Sequence, residues 1–135
     1  MITKTNESSE MYLETILLLT EKQPHVRAID IVHSTGYTKP SVSRAVGLLK
    51  QSGKITVDES GYITLTDEGR ALASKILERH HILSEFLIGL GVTPETAAED
   101  ACKIEHVISD ETVQKMKAHI ARSTRQKREM QVHLL

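Results

Sequence analysis

The chain has 135 residues and a mass of 15.1 kDa, with 39% hydrophobic and 26% charged residues, which is the composition of one folded domain or two small ones sharing a core. Its net charge is −1, and a single cysteine, Cys102, excludes an internal disulfide framework and fits a reducing, cytoplasmic setting. The longest purely apolar run, Ile16 to Leu19, falls far short of the roughly 20 residues that cross a bilayer, and no export signal is expected in the polar opening MITKTNESSE. The seven glycines are scattered and form no phosphate-cradling loop. Tyr12, Tyr37, Tyr62 and Phe86, with no Trp, are too few to stack single-stranded bases.

A first helix is predicted from about Ser9 to Lys22, with Leu13, Ile16, Leu17 and Thr20 as its buried stripe and Pro24 as its stop. A second covers about Ala28 to Ser34, with Ile31 and Val32 inward, and Gly36 breaks it. A third begins near Thr38, tolerates Pro40 in its first turn, and runs to Gln51 on an apolar face of Val42, Ala45, Val46 and Leu49. Two β-branched stretches, Ile55 to Val57 and Tyr62 to Leu65, flank the turn Asp58-Glu59-Ser60-Gly61 and predict a small hairpin. Thr66 caps a long helix from Asp67 to about Leu90, stopped by Gly89 and Gly91. Thr93 and Pro94 open another to about Ile108, and Ser109 followed by Asp110 and Glu111 opens a last one. The fold class is therefore mainly α: an N-terminal winged helix-turn-helix of three helices and a two-stranded wing, followed by an all-helical region. We place the boundary at residues 1–70 and 71–135.

The near-zero net charge conceals strong segregation. Residues 36–54 carry Lys39, Arg44, Lys50 and Lys54 and no acid; residues 94–111 carry six acids against Lys103; residues 112–128 carry six bases and no acid. Such patches concern partners rather than fold. In a helix-turn-helix the second helix of the motif enters the major groove with its N-terminal residues at the base edges. Here that segment supplies Thr38, Lys39, Pro40, Ser41, Ser43, Arg44 and Lys50. Small hydroxyls permit close approach, Arg44 has the fork that binds guanine in two places, and Arg27 at the preceding helix start is placed for a phosphate. Asp58 and Glu59 would oppose entry of the wing into the minor groove. The bases from about Ala121 onward read first as solvated charge, with a frayed helix end or a non-specific phosphate contact as the alternatives.

A second chemistry lies in Cys102, Glu105 and His106, which at i, i+3 and i+4 present a thiolate, a carboxylate and an imidazole on one helix face. Met11 and Glu14 are again i and i+3, beside the stripe of the first helix. His80 follows Ile76 by four and precedes Leu83 by three, so it points inward and requires a partner. Spacing alone leaves a structural metal site, a sensing site, and an ordinary buried histidine all open.

The stretches Ser9-Glu10-Met11-Tyr12-Leu13-Glu14-Thr15-Ile16 and Asp100 through Glu111 (DACKIEHVISDE) resemble the diphtheria toxin repressor and manganese transport regulator family, and the resemblance covers residues 9–120. It implies a regulatory metal held by Met11, Cys102, Glu105 and His106, as in the iron-responsive branch, with His80 ligating a second, nearby ion. Glu14 matches a ligand of the manganese branch, whereas Met11 and Cys102 stand where that branch has carboxylates. Ser84 and Ala98 replace further second-site ligands of the iron branch. The resemblance also implies a short form lacking the SH3-like third domain, with residues 71–135 as the dimerisation and metal-binding domain.

The expected protein is a cytoplasmic homodimeric repressor of divalent-metal uptake, activated by one or two ions of Mn2+, Fe2+ or Zn2+ per subunit and bound to pseudo-palindromic double-stranded operator DNA. Soft donors favour iron or zinc, and the carboxylates favour manganese. The expected dimer face comprises Leu83, Leu87, Leu90, Val92, Ala97, Ala101 and Ile104. No membrane and no small organic substrate is expected. The competing readings are a metal-independent winged-helix regulator that responds to a small organic ligand, and a metal-dependent hydrolase.

Overall fold

The computed structural model describes residues 4–134, with side chains over 8–130. The element order is α1 (Lys4–Lys22), α2 (Ala28–Thr35), α3 (Lys39–Gln51), β1 (Ile55–Val57), β2 (Ile63–Leu65), α4 (Asp67–Gly89), α5 (Pro94–Ile104) and α6 (Asp110–Leu134). The chain divides into two compact units between Leu77 and Glu78, inside α4. Residues 1–3 and Leu135, the ends of the polar opening and of the basic tail, lie outside the described residues.

The first unit is a winged helix-turn-helix. Tyr12, Leu13, Ile16 and Leu17 of α1 form its core with Ile31 of α2, Val42 and Leu49 of α3, the hairpin residues Ile55, Ile63 and Leu65, and Ala73 of α4. Thr20, predicted inside, is half-buried, and its hydroxyl donates to the Ile16 carbonyl (2.8 Å). α1 begins five residues before Ser9, through a polar stretch with no apolar periodicity to reveal a start.

Local chemistry sets the other ends. The Asp30 carboxylate accepts from the Arg27 backbone N–H (2.8 Å) at the start of α2. Gly36 closes that helix in the left-handed conformation (φ 76°), and its N–H donates to the Val32 carbonyl. Thr38 caps α3, its Oγ1 accepting from the Ser41 N–H and donating to Ser41 Oγ.

The wing pairs Ile55 with Leu65, Thr56 with Thr64 and Val57 with Ile63 in antiparallel register. Asp58 Oδ1 accepts from the N–H groups of Ser60 and Tyr62, both at 2.9 Å, so this acid organises the turn. The connection between α1 and α2 is fastened to the wing. Val26 accepts from the Ile63 N–H (2.7 Å), the His25 ring stacks on Tyr62 (4.2 Å between centroids), and the Arg27 guanidinium lies 4.7 Å from the Tyr62 ring centre.

Behind the wing, Thr66 Oγ1 accepts from the Gly69 N–H and donates to the Gly53 carbonyl, while the Thr66 N–H donates to the Lys54 carbonyl. Gly69 lies so close to this strand entry that a Cβ would sit 1.9 Å from the Lys54 carbonyl oxygen.

The second unit comprises the end of α4 with α5 and α6. Ile82, Leu83, Ala97, Ala101 and Val113 are buried in it. Leu83, Ala97 and Ala101 are thus used inside the subunit and leave the expected dimer face, whereas Ile88 and Leu90 stay exposed. The periodicity that marks a helix's apolar side does not say whether its own chain or a second copy covers it. α5 ends at Ile104, four residues earlier than predicted, and Ser109 caps α6 by accepting from the Thr112 N–H (3.2 Å).

Candidate metal centre and duplex-facing surface

Because α5 stops at Ile104, Cys102 lies in its last turn while Glu105 and His106 lie in the turn that follows, although Glu105 keeps helical backbone angles and its N–H still donates to the Ala101 carbonyl. That turn is tight: the Val107 and Ile108 N–H groups both donate to the Ile104 carbonyl.

Glu105 is the focus of the second unit. Its side chain is fully buried, Oε2 is 2.8 Å from His80 Nδ1, and Oε1 is 3.4 Å from His106 Nε2. A buried carboxylate between two imidazoles is stable only when protons or a cation neutralise it. Cys102 is exposed, and one donor atom from each of His80, Cys102 and Glu105 lies within 4.8 Å of the others. Bond lengths of about 2.0–2.3 Å from a central ion to nitrogen, oxygen and sulfur fit such a spread. The mixed N, O and S donor set suits a divalent transition metal.

Arg79, which the sequence reading passed over, holds this turn in place. Its Nη1 donates to the Glu105 carbonyl (3.2 Å), its Nη2 pairs with the Asp110 carboxylate, and its side chain is only 12% exposed. The one available signal is that Arg79 precedes an inward histidine on α4. Arg79→Ala removes a donor from the buried Glu105 carbonyl and a cation from the Asp110 carboxylate. It is expected to destabilise the metal-free protein by about 1–3 kcal/mol, and thermal melting should show saturating metal restoring part of that loss.

Met11 and Glu14 lie on α1 in the first unit. Glu14 is 9% exposed, an uncommon burial for a carboxylate. Met11 is half-buried, and its Sδ accepts from the Tyr37 hydroxyl at 3.5 Å. Tyr37 also meets Tyr12, with ring centroids 6.0 Å apart; burial, and secondarily Tyr37, push the Tyr12 phenol above its usual range. Of the residues replacing second-site ligands, Ala98 is exposed, and Ser84 Oγ is buried without a hydrogen-bond partner among the described residues.

The residues expected to face the duplex lie in the first unit. Thr38, Lys39, Pro40, Ser41, Ser43, Arg44 and Lys50 are all exposed, as is Arg27. The Thr38 and Ser41 hydroxyls are partly engaged with each other, so Ser43 is the less encumbered small donor. Arg27 is held against Tyr62, a wing residue that the sequence reading did not connect with it.

A winged helix-turn-helix continued by a helical unit with clustered nitrogen, oxygen and sulfur donors defines the class of helix-turn-helix transcriptional regulators. Residues 66–131 match the family described as iron dependent repressor, metal binding and dimerisation domain. The chain is 36% identical over 102 residues to the transcriptional regulator MntR of Escherichia coli, covering 76% of this chain and 66% of that one. It is 32% identical over 114 residues to an uncharacterized HTH-type transcriptional regulator of Methanocaldococcus jannaschii, covering 83% of this chain and 91% of that one. A solved structure described as a manganese-dependent transcriptional repressor in complex with manganese superposes with a TM-score of 0.77 at 28% identity, over 84% of this chain and 52% of that one. The chain belongs to the diphtheria toxin repressor and manganese transport regulator family. It spans about two thirds of the length of the Escherichia coli relative and about half that of the solved structure.

Proposed function

We propose that the protein is a metal-activated, DNA-binding transcriptional repressor controlling divalent-metal uptake and homeostasis. It acts in the cytoplasm as a homodimer on pseudo-palindromic duplex DNA, and its role is regulatory rather than catalytic. The observation that carries this reading is the His80, Cys102 and Glu105 cluster around a fully buried carboxylate, in a chain whose first unit is a winged helix-turn-helix with Lys39, Ser43 and Arg44 exposed. Among the described residues no helix is long and apolar enough to cross a membrane.

His80, Cys102, Glu105 and His106 are the donors we assign in the second unit, with Met11 and Glu14 as donors from the first. The bound ion supplies a divalent charge that several donors share, in one or two positions per subunit. Mn2+, Fe2+ and Zn2+ all suit a donor set that mixes carboxylates, imidazoles, thiolate and thioether. Glu105 neutralises the cation and orients His80, and Arg79 keeps the Glu105 backbone from shifting. A two-fold dimer sets its two α3 helices about one duplex turn (~34 Å) apart, and the operator mirrors that symmetry. Arg44, Lys39 and Ser43 read base edges, whereas Arg27 and Lys50 hold phosphates.

Fluorescence anisotropy on labelled duplexes from the gene's own upstream region tests this. Mn(II), Fe(II) or Zn(II) should promote binding and a chelator should reverse it. Arg44→Ala should weaken the duplex by roughly 1–3 kcal/mol while leaving metal uptake unchanged. Binding of equal strength in the ion-free protein would overturn the proposal.

A further inference from the structure

The recognition helix begins two residues after a side chain that touches a proposed metal donor. Tyr37 lies in the turn between α2 and α3, and its hydroxyl donates to Met11 Sδ at 3.5 Å. On the other side of Tyr37 the backbone is tightly fixed. Its own N–H donates to Thr35 Oγ1 (3.2 Å), Gly36 before it is locked in the left-handed region, and Thr38 after it is the N-cap of α3. A displacement of the Tyr37 ring therefore has few bonds in which to dissipate before it reaches the first turn of α3, which carries Lys39, Ser41 and Ser43.

We infer that Tyr37 is a positioning residue that couples ion binding at Met11 to the reading end of the recognition helix. This rests on the reading of Met11 as a metal donor. A thioether has two lone pairs, so Met11 Sδ can serve an ion with one and accept from Tyr37 with the other. Met11, packed at the edge of the core, has an unbranched side chain with three rotatable bonds, which lets its thioether change rotamer there. Ligation removes that freedom and gives the Tyr37 hydroxyl a stationary acceptor. The Tyr37 ring, already against Tyr12, is then held at both ends. DNA meeting a pre-ordered Tyr37–Thr38 turn has less ordering left to do, which is positive coupling through conformational entropy. Tyr37 is 46% exposed, so its position depends on these few contacts and not on deep packing.

The experiment measures Co(II) affinity of the full chain by its visible absorption, with and without saturating duplex from the gene's own upstream region. In the parent protein the duplex should tighten Co(II) by a factor within the usual range of about 5–150, and Co(II) should tighten the duplex equally. Tyr37→Phe keeps the ring against Tyr12 and removes only the hydroxyl. We expect its Co(II) affinity without DNA to stay within about twofold, and the coupling factor to fall to less than its square root. An unchanged coupling factor overturns the inference. So does a weaker duplex affinity in Tyr37→Phe with coupling preserved, which would make Tyr37 a direct DNA contact. Met11→Leu tests the underlying assignment separately: it should weaken Co(II) at least about tenfold. If it does not, Met11 is no donor, and the role given to Tyr37 fails with it.

Discussion

Glu105→Gln is expected to lower metal affinity by a hundredfold or more and to abolish metal-dependent operator binding at ion concentrations that saturate the parent protein. Loss of an outer-shell partner alone typically lowers metal affinity about 10–100-fold, and Glu105 is assigned as a direct donor. The substitution preserves volume and one hydrogen-bond acceptor but removes the charge that faces His80 and His106. The metal-free variant should therefore stay folded, with little change in melting temperature, because no cavity forms and a neutral amide is easier to bury than a carboxylate. Calorimetric titration with Mn(II) and with Zn(II), run beside thermal melting, separates the two effects. Parent-like affinity for both ions would remove Glu105 from the ligand set.

Gly69→Ala is expected to destabilise the first unit by about 4–5 kcal/mol, at the upper end for a single substitution. Helix propensity alone predicts the opposite sign, since alanine gains roughly 1 kcal/mol over glycine inside a helix. The deciding contact is backbone on backbone. The added methyl carbon would lie 1.9 Å from the Lys54 carbonyl oxygen, which already receives the Thr66 N–H, and neither partner is a flexible side chain that can swing away. Relief requires α4 to lift from the wing base and to break the Thr66 bonds to Gly53 and Lys54. Gly47→Ala is the matched control. It also sits within a helix, has open space around the new methyl, and should stabilise by about 0.5–1 kcal/mol. Denaturant unfolding of both variants should shift the midpoint in opposite directions, and equal shifts would show that propensity and not contact governs Gly69.

These two cases mark how far the sequence could be read. The winged helix-turn-helix was legible because its signals are local: apolar residues at helical spacing in α1, the Gly36 break, Pro40 in the first turn of α3, the Thr66 cap, and two β-branched stretches around the turn Asp58-Glu59-Ser60-Gly61. The donor residues of the second unit were legible as a group for the same reason, since Cys102, Glu105 and His106 lie within five positions of one another. Their geometry was not. Helical spacing gave them one shared face, whereas α5 ends at Ile104 and Glu105 and His106 fall in the turn after it. Gly69 looked like an ordinary interior glycine because its neighbour in space, Lys54, is fifteen positions away. Arg79 and Tyr37 escaped notice for a related reason. Each acts through a partner distant in sequence, Glu105 and Asp110 for the first and Met11 for the second. The apolar faces of α4 and α5 were found, but Leu83, Ala97 and Ala101 turned out to serve the subunit's own interior.

The bond from the Ile63 N–H to Val26 has a consequence for solubility. Two three-residue strands joined by a turn leave outward-pointing peptide groups, and such groups can recruit a strand from another molecule and seed fibrous aggregation. Here the peptide preceding α2 covers that border at the first residue of β2, and the His25 and Arg27 side chains shield the adjoining aromatic ring. The same seam that steadies the wing thus keeps it from sticking to its neighbours.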